Sequence, residues 1–132
     1  MNSNRILMID QDATFIQTVS NYFKSIGIEV FSTGDGIEGY RMAKKEKPGV
    51  VILDTDLPNL SGFQVCRLLK GDDRYQQIPV VFVSSNDSQE DVLKSERALC
   101  DLFLRKPIVA DQLTQEIIAL LAPQAGEESA VA

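Results

Sequence analysis

The sequence predicts a doubly wound α/β domain with five parallel strands and five helices, and three observations carry that prediction. Four short apolar runs rich in β-branched residues read as strands covered on both faces. The stretches between them repeat apolar residues at steps of three and four, the period of a helix with one buried face. Strand and helix alternate five times with no run of consecutive strands. Each crossover is then a helix, and right-handed crossovers place helices on both faces of the sheet.

In chain order, Ile6-Leu7-Met8-Ile9 is the first strand. Asp12 caps a helix from Ala13 to Ile26, whose stripe is Phe15, Ile16, Val19, Tyr22, Phe23 and Ile26, and Gly27 stops it. Ile28 to Ser32 alternates and is more polar, which suits an edge strand. The second helix starts at Asp35 with Glu38 as capping-box partner, carries Ile37, Tyr40 and Ala43, and ends before Pro48. Val50 to Leu53 is the third strand. The third helix starts at Ser61 with Gln64 and buries Val65, Leu68 and Leu69; Val80 to Val83 is the fourth strand. The fourth helix starts at Ser88 with Asp91 and runs through Val92, Leu93, Glu96 and Leu99, a mixed face expected to pack least firmly. Leu102-Phe103-Leu104 is a weaker fifth strand, and the last helix shows Leu113, Ile117, Leu120 and Leu121 on one stripe. The domain is expected over residues 4–121. Residues 122–132 offer nothing to a core and read as a flexible tail or the start of a linker.

The 132 residues suffice for one domain, and 44% apolar with 24% charged is a globular balance. Thirteen Lys and Arg against 19 Asp and Glu give a formal charge of −6, poorly suited to phosphate backbones, so no direct nucleic-acid partner is expected. The chain has no histidine, which excludes a histidine-based triad, a histidine metal site and a phosphohistidine carrier. Cys66 and Cys100 are too few and too far apart in sequence for a zinc site or a CxxC pair, and read as small buried residues of a reducing cytosol. Neither a signal-peptide core nor a membrane-spanning run is present, so a cytoplasmic protein without a membrane partner is expected.

In such a sheet, ligands bind beyond the carboxyl ends of the strands. Those ends carry Asp10-Gln11-Asp12, Asp54, Ser84-Ser85 and Arg105-Lys106-Pro107. Carboxylates, hydroxyl and ammonium therefore converge on one edge.

The segments Ile6-Leu7-Met8-Ile9-Asp10, Val51-Ile52-Leu53-Asp54 with Leu57-Pro58-Asn59-Leu60-Ser61-Gly62, Pro79 to Ser84, and Phe103-Leu104-Arg105-Lys106-Pro107 resemble the receiver domain of two-component response regulators. The hydrophobic-Asp-x-x-x-Pro-x-x-x-Gly pattern with a late Lys-Pro is specific. The resemblance implies a flavodoxin-like sheet of order 2-1-3-4-5 and a switch that accepts a phosphoryl group from a phosphohistidine. It implies Asp54 as acceptor, Lys106 pairing with the phosphoryl oxygens, and Ser84 donating its hydroxyl to one of them. It further implies Mg²⁺ held by Asp10, the Gln11 position, Asp54 and the backbone carbonyl of Asp56. Ser84 and Phe103 match the switch pair that reshapes the face of the fourth helix, fifth strand and fifth helix; as a plain reading, Phe103 is an apolar strand residue. Lys106-Pro107 resembles the family's cis peptide. The implied partners are a sensor histidine kinase or histidine phosphotransfer protein, and a downstream protein target or fused output domain. No enzymatic activity is expected beyond phosphorylation and dephosphorylation of Asp54 itself.

Two positions depart from the pattern. Gln11 stands where a directly coordinating carboxylate is usual; its amide oxygen ligates without charge, so metal affinity falls. Asp12 either compensates or caps the helix. Asp56 brings an extra carboxylate to the pocket mouth, which either recovers metal affinity or repels the phosphoryl group. Ser84 replaces the commoner Thr, and Asn86 borders the site, where it either influences the hydrolytic water or is an ordinary loop residue. A pseudo-receiver that docks proteins without phosphorylation is the alternative that Gln11 favours; retention of Asp54, Ser84 and Lys106 argues against it. Asp54-Thr55-Asp56 superficially matches the DxD of haloacid-dehalogenase-type phosphatases, but Leu57-Pro58 follows it and few residues remain for their later acidic pair. Acids after the first strand also argue against a flavin-phosphate loop.

Overall fold

The computed structural model describes residues 2–131 other than residue 87. The strands are β1 (Asn2–Ile9), β2 (Glu29–Thr33), β3 (Pro48–Leu53), β4 (Val80–Ser84) and β5 (Leu102–Arg105). The helices are α1 (Ala13–Ser25), α2 (Gly36–Glu46), α3 (Gly62–Lys70), α4 (Gln89–Arg97) and α5 (Ala110–Val131). All pairings are parallel and the order is β2-β1-β3-β4-β5, as expected, with the two weakest sequence strands at the edges.

Unbroken apolar runs are explained by the two faces they serve. Leu7, Ile9, Val51, Leu53, Val80 and Phe82 point to one side, where Ala43, Val65 and Leu69 of α2 and α3 cover them. Ile6, Met8, Val50, Ile52, Val81 and Val83 point to the other, against Val19 and Phe23 of α1 and Leu113 and Ile117 of α5. Alternate residues face opposite layers, so a central strand has no position left for a polar side chain.

The helix starts follow the sequence. Asp12, Asp35, Ser61 and Ser88 accept from the backbone N–H three residues on, and at α3 the Gln64 side chain closes the box by accepting from Ser61 N–H. Gly36 has a separate duty. Its N–H donates to Pro58 O at 3.2 Å, and a Cβ on Gly36 would lie 1.8 Å from Leu60 O. The loop after β3 is thereby seated on the start of α2, and Asn59 Nδ2 donates to the Asp35 carboxylate beside it.

Two segments differ from expectation. The stripe that α4 buries is Asp91, Ser95 and Ala98, whereas Leu93 is 50% and Leu99 65% exposed. These three buried residues are also at helical spacing, and the small Ser95 and Ala98 allow close approach: Cys66 Sγ donates to Ala98 O at 3.2 Å. Past Leu121, where a tail was expected, α5 continues to Val131. Ala122, Gln124, Ala125, Glu127, Glu128 and Ala130 are good helix formers, while Pro123 and Gly126 in the same stretch are poor ones. Both cysteines are free, and burial pushes the Cys66 thiol up to about 12.

Gly36→Ala drives its methyl into the Leu60 carbonyl and is expected to lower stability by about 3 kcal/mol. A urea transition with a lower midpoint and unchanged slope checks it.

Candidate functional site

Register sets the site. Ile9 pairs with Leu53, and Leu53 with Phe82, so Asp10 and Asp54 each stand one residue past the end of a central strand. Backbone bonds fix both: Asp10 N–H donates to Thr33 O at 3.0 Å and Asp54 N–H to Ile9 O at 2.9 Å. After β5 the chain turns back, with Lys106 N–H donating to Ser84 O at 2.9 Å and a cis Lys106-Pro107 peptide following. A cleft of about 720 Å³ opens over these ends, lined among others by Asp10, Gln11, Asp12, Asp54, Ser85 and Lys106.

The ammonium of Lys106 is the hub of the cleft. It donates to Asp10 Oδ2 at 2.9 Å, stands 3.8 Å from Asp12 Oδ2 and 3.9 Å from Asp54 Oδ2, and lies over the Phe15 ring at 4.6 Å. Asp10 is 2% exposed, and its other oxygen accepts from Asp12 N–H at 2.9 Å. Burial pushes the Asp54 carboxyl above the ordinary carboxylate range, and the charge of Asp10 adds to that. Lys106 and the backbone N–H groups of Thr55 and Asp56 pull the other way. Three carboxylates thus share one ammonium, which leaves the site short of positive charge.

Asp10, Gln11, Asp54 and Lys106, predicted from sequence, meet in this cleft. Asp12 takes both readings at once: it caps α1 through Phe15 N–H at 3.0 Å and faces Lys106. Asp56 is exposed and its N–H lies against the Asp54 carboxylate, but its side chain is not part of the cleft lining. Ser84 is not part of that lining either. It is buried, with its Oγ 2.9 Å from Thr55 Oγ1 and accepting from Asn86 N–H at 3.1 Å. Phe103 is half-buried, its ring 6.1 Å from that of Phe82, which packs at 5.4 Å on Phe63. Sequence reasoning passed over Thr55 as a functional residue; a hydroxyl at a buried strand end was the available signal.

Among the described residues, no group of three His, Cys, Asp or Glu side chains is arranged to hold a metal ion. The oxygens that line the cleft are those of the Asp10, Asp12 and Asp54 carboxylates and the Gln11 amide. Hard oxygen donors at an open, under-compensated acidic cleft fit Mg²⁺, which retains several waters.

The model of the response regulator receiver domain matches residues 6–118. Protein PilH of Pseudomonas aeruginosa is 33% identical over 118 residues, covering 89% of this chain and 98% of PilH. The DNA-binding dual master transcriptional regulator RpaA of Synechocystis is 32% identical over 132 residues, covering 96% of this chain and 55% of RpaA. Among solved structures, the receiver domain of sensor histidine kinase PA1611 from Pseudomonas aeruginosa superposes with a TM-score of 0.81 at 21% identity, over 89% of this chain and 97% of that one. That structure has a magnesium ion coordinated in its active-site cleft.

The charge imbalance predicts opposite outcomes for two substitutions. Lys106→Met strands the buried Asp10 carboxylate and is expected to cost about 3 kcal/mol. Asp54→Asn removes the charge that burial and Asp10 disfavour, and is expected to raise the urea midpoint. Equilibrium unfolding at neutral pH checks both.

Proposed function

The chain belongs to the response regulator receiver-domain family of two-component signalling, and from that premise we propose that it is a phosphoryl-accepting switch with Asp54 as its acceptor. The observation that carries this reading is the convergence of Asp54, Asp10 and Lys106 in one open cleft. These 132 residues contain no histidine, so the phosphohistidine lies outside them, on a sensor histidine kinase or a histidine phosphotransfer protein.

Thr55 N–H holds Asp54 Oδ1 at 2.7 Å, and Oδ2 stands 3.9 Å from the Lys106 ammonium. Oδ2 forms the new bond to phosphorus while the phosphorus–nitrogen bond of the donor breaks and its electron pair returns to the imidazole. Lys106, 3.9 Å from that oxygen and bonded to Asp10, would pair with the phosphoryl oxygens. Mg²⁺ would be held by Asp10, Asp54, the Asp56 carbonyl and the uncharged Gln11 oxygen, and would supply positive charge against the phosphoryl oxygens. The metal-binding charge lost at Gln11 makes its affinity low for the site.

The phosphoryl group gives the Ser84 hydroxyl a strong acceptor, drawing the loop after β4 toward Asp54. Phe103, already on Phe82 beside that loop, moves with it, and the face of α4, β5 and α5 changes for a downstream target or an attached output domain. The chain acts on no substrate but its own aspartate. No helix among the described residues is long and apolar enough to cross a membrane.

A small-molecule phosphodonor with Mg²⁺ is expected to label the native chain and not Asp54→Asn; label on the variant overturns the acceptor assignment. If the native chain takes neither label nor beryllofluoride, a phosphorylation-independent docking module is the better reading. Gln11→Asp is expected to tighten Mg²⁺ about tenfold, read by direct titration, because the coordinating set gains a charge.

A further inference from the structure

Thr55 commits every polar group it has. Its N–H donates to Asp54 Oδ1 at 2.7 Å, its carbonyl accepts from Gly62 N–H at 3.0 Å, and its hydroxyl meets the Ser84 hydroxyl at 2.9 Å. The residue is 4% exposed and Ser84 1%. Its backbone cannot drift, because a Cβ on Gly62 would lie 2.0 Å from Asp54 O, so closely does the start of α3 press on residues 54 and 55. One residue therefore touches the acceptor carboxylate through its amide and the switch hydroxyl through its side chain.

We propose that Thr55 is a positioning residue that latches Ser84 in the resting state, so that the Thr55–Ser84 hydroxyl pair sets how strongly the switch resists activation. The inference rests on the phosphoryl-switch reading above. Either hydroxyl can be the donor in the Thr55–Ser84 bond, and Ser84 Oγ also accepts from Asn86 N–H at 3.1 Å. In the latched arrangement Ser84 spends its single O–H on Thr55, and to reach a phosphoryl oxygen on Asp54 it gives that bond up. Thr55 Oγ1 is then left in a site that solvent does not reach, and an unsatisfied buried hydroxyl is costly. Asn86 follows Ser84 because its amide is bonded to the same oxygen, so the latch also holds the loop that follows β4. A threonine here makes the resting position of Ser84 a bonded one, where an apolar residue would leave Ser84 held by Asn86 N–H alone.

The test is a titration of the full chain with Mg²⁺ and beryllofluoride, followed by amide NMR, for the native protein and for Thr55→Val, Thr55→Ala and Thr55→Ser. Valine and alanine are expected to tighten beryllofluoride about fivefold, the weight of one net hydrogen bond, and to shift the Asn86 amide before any ligand is added. Serine restores the hydroxyl and returns both readouts toward native values. In a Ser84→Ala background the effect of Thr55→Val disappears. Unchanged affinity in both Thr55→Val and Thr55→Ala, or a gain that persists without Ser84, overturns the latch while leaving the switch reading intact. A native chain with no beryllofluoride response overturns the switch reading, and the latch with it.

Discussion

The pairing of Lys106 with Asp10 is the constraint on which the site depends. A carboxylate that is 2% exposed is not sustainable at the end of a central strand without a partner. The partner arrives from the far side of the sheet: in the order β2-β1-β3-β4-β5, two strands separate β5 from β1. Three strand spacings are roughly 14 Å, further than a lysine side chain extends. The backbone after β5 therefore has to fold inward over the strand ends, and the Lys106 N–H bond to Ser84 O begins that turn. Once in place, the ammonium ties the first and last loops of the cleft together beside Asp54, 3.9 Å from its carboxylate.

The fold was largely legible because its information is local. A parallel strand buried on both faces reads as an apolar run whatever its register, and Val50–Leu53 and Val80–Val83 need no partner to be recognised. Capping chemistry is equally local, which is why Asp12, Asp35, Ser61 and Ser88 mark helix starts correctly. Helix α4 is the counterexample. Its buried face is chosen by what α3 offers it, a cysteine and a close backbone, and small residues outcompete Leu93 and Leu99 for that contact. Hydrophobicity alone ranks those leucines first.

The residues of the candidate site divide along the same line. Asp10, Gln11, Asp54 and Lys106 were identifiable because each is polar at the end of an apolar run, and the topology makes such ends converge. What Ser84 touches was not identifiable. Its hydroxyl meets that of Thr55 because β3 and β4 pair with Leu53 opposite Phe82, which brings Thr55, two residues past β3, level with Ser84, the last residue of β4. A shift of one residue would turn those side chains to opposite faces. Sequence pattern locates the members of such a cluster, while register decides which of them are bonded in the resting state.

On the proposed phosphoryl-switch reading, charge counting around Lys106 gives Gln11 two opposed consequences. Asp10, Asp12 and Asp54 against one lysine leave −3 + 1 = −2 within about 4 Å of the ammonium. A divalent cation cancels that sum to zero, whereas a carboxylate at position 11 would leave −1 after the same cation. The phosphoryl group of the proposed reaction is itself strongly anionic. The acid absent at position 11 thus lowers the attraction for a cation and, by the same charge, lowers the repulsion against the phosphoryl group. Both effects act in a cleft that water enters, so each is screened and neither alone sets the outcome. The substitution trades one requirement of the chemistry against the other, and so is compatible with an acceptor site that still works.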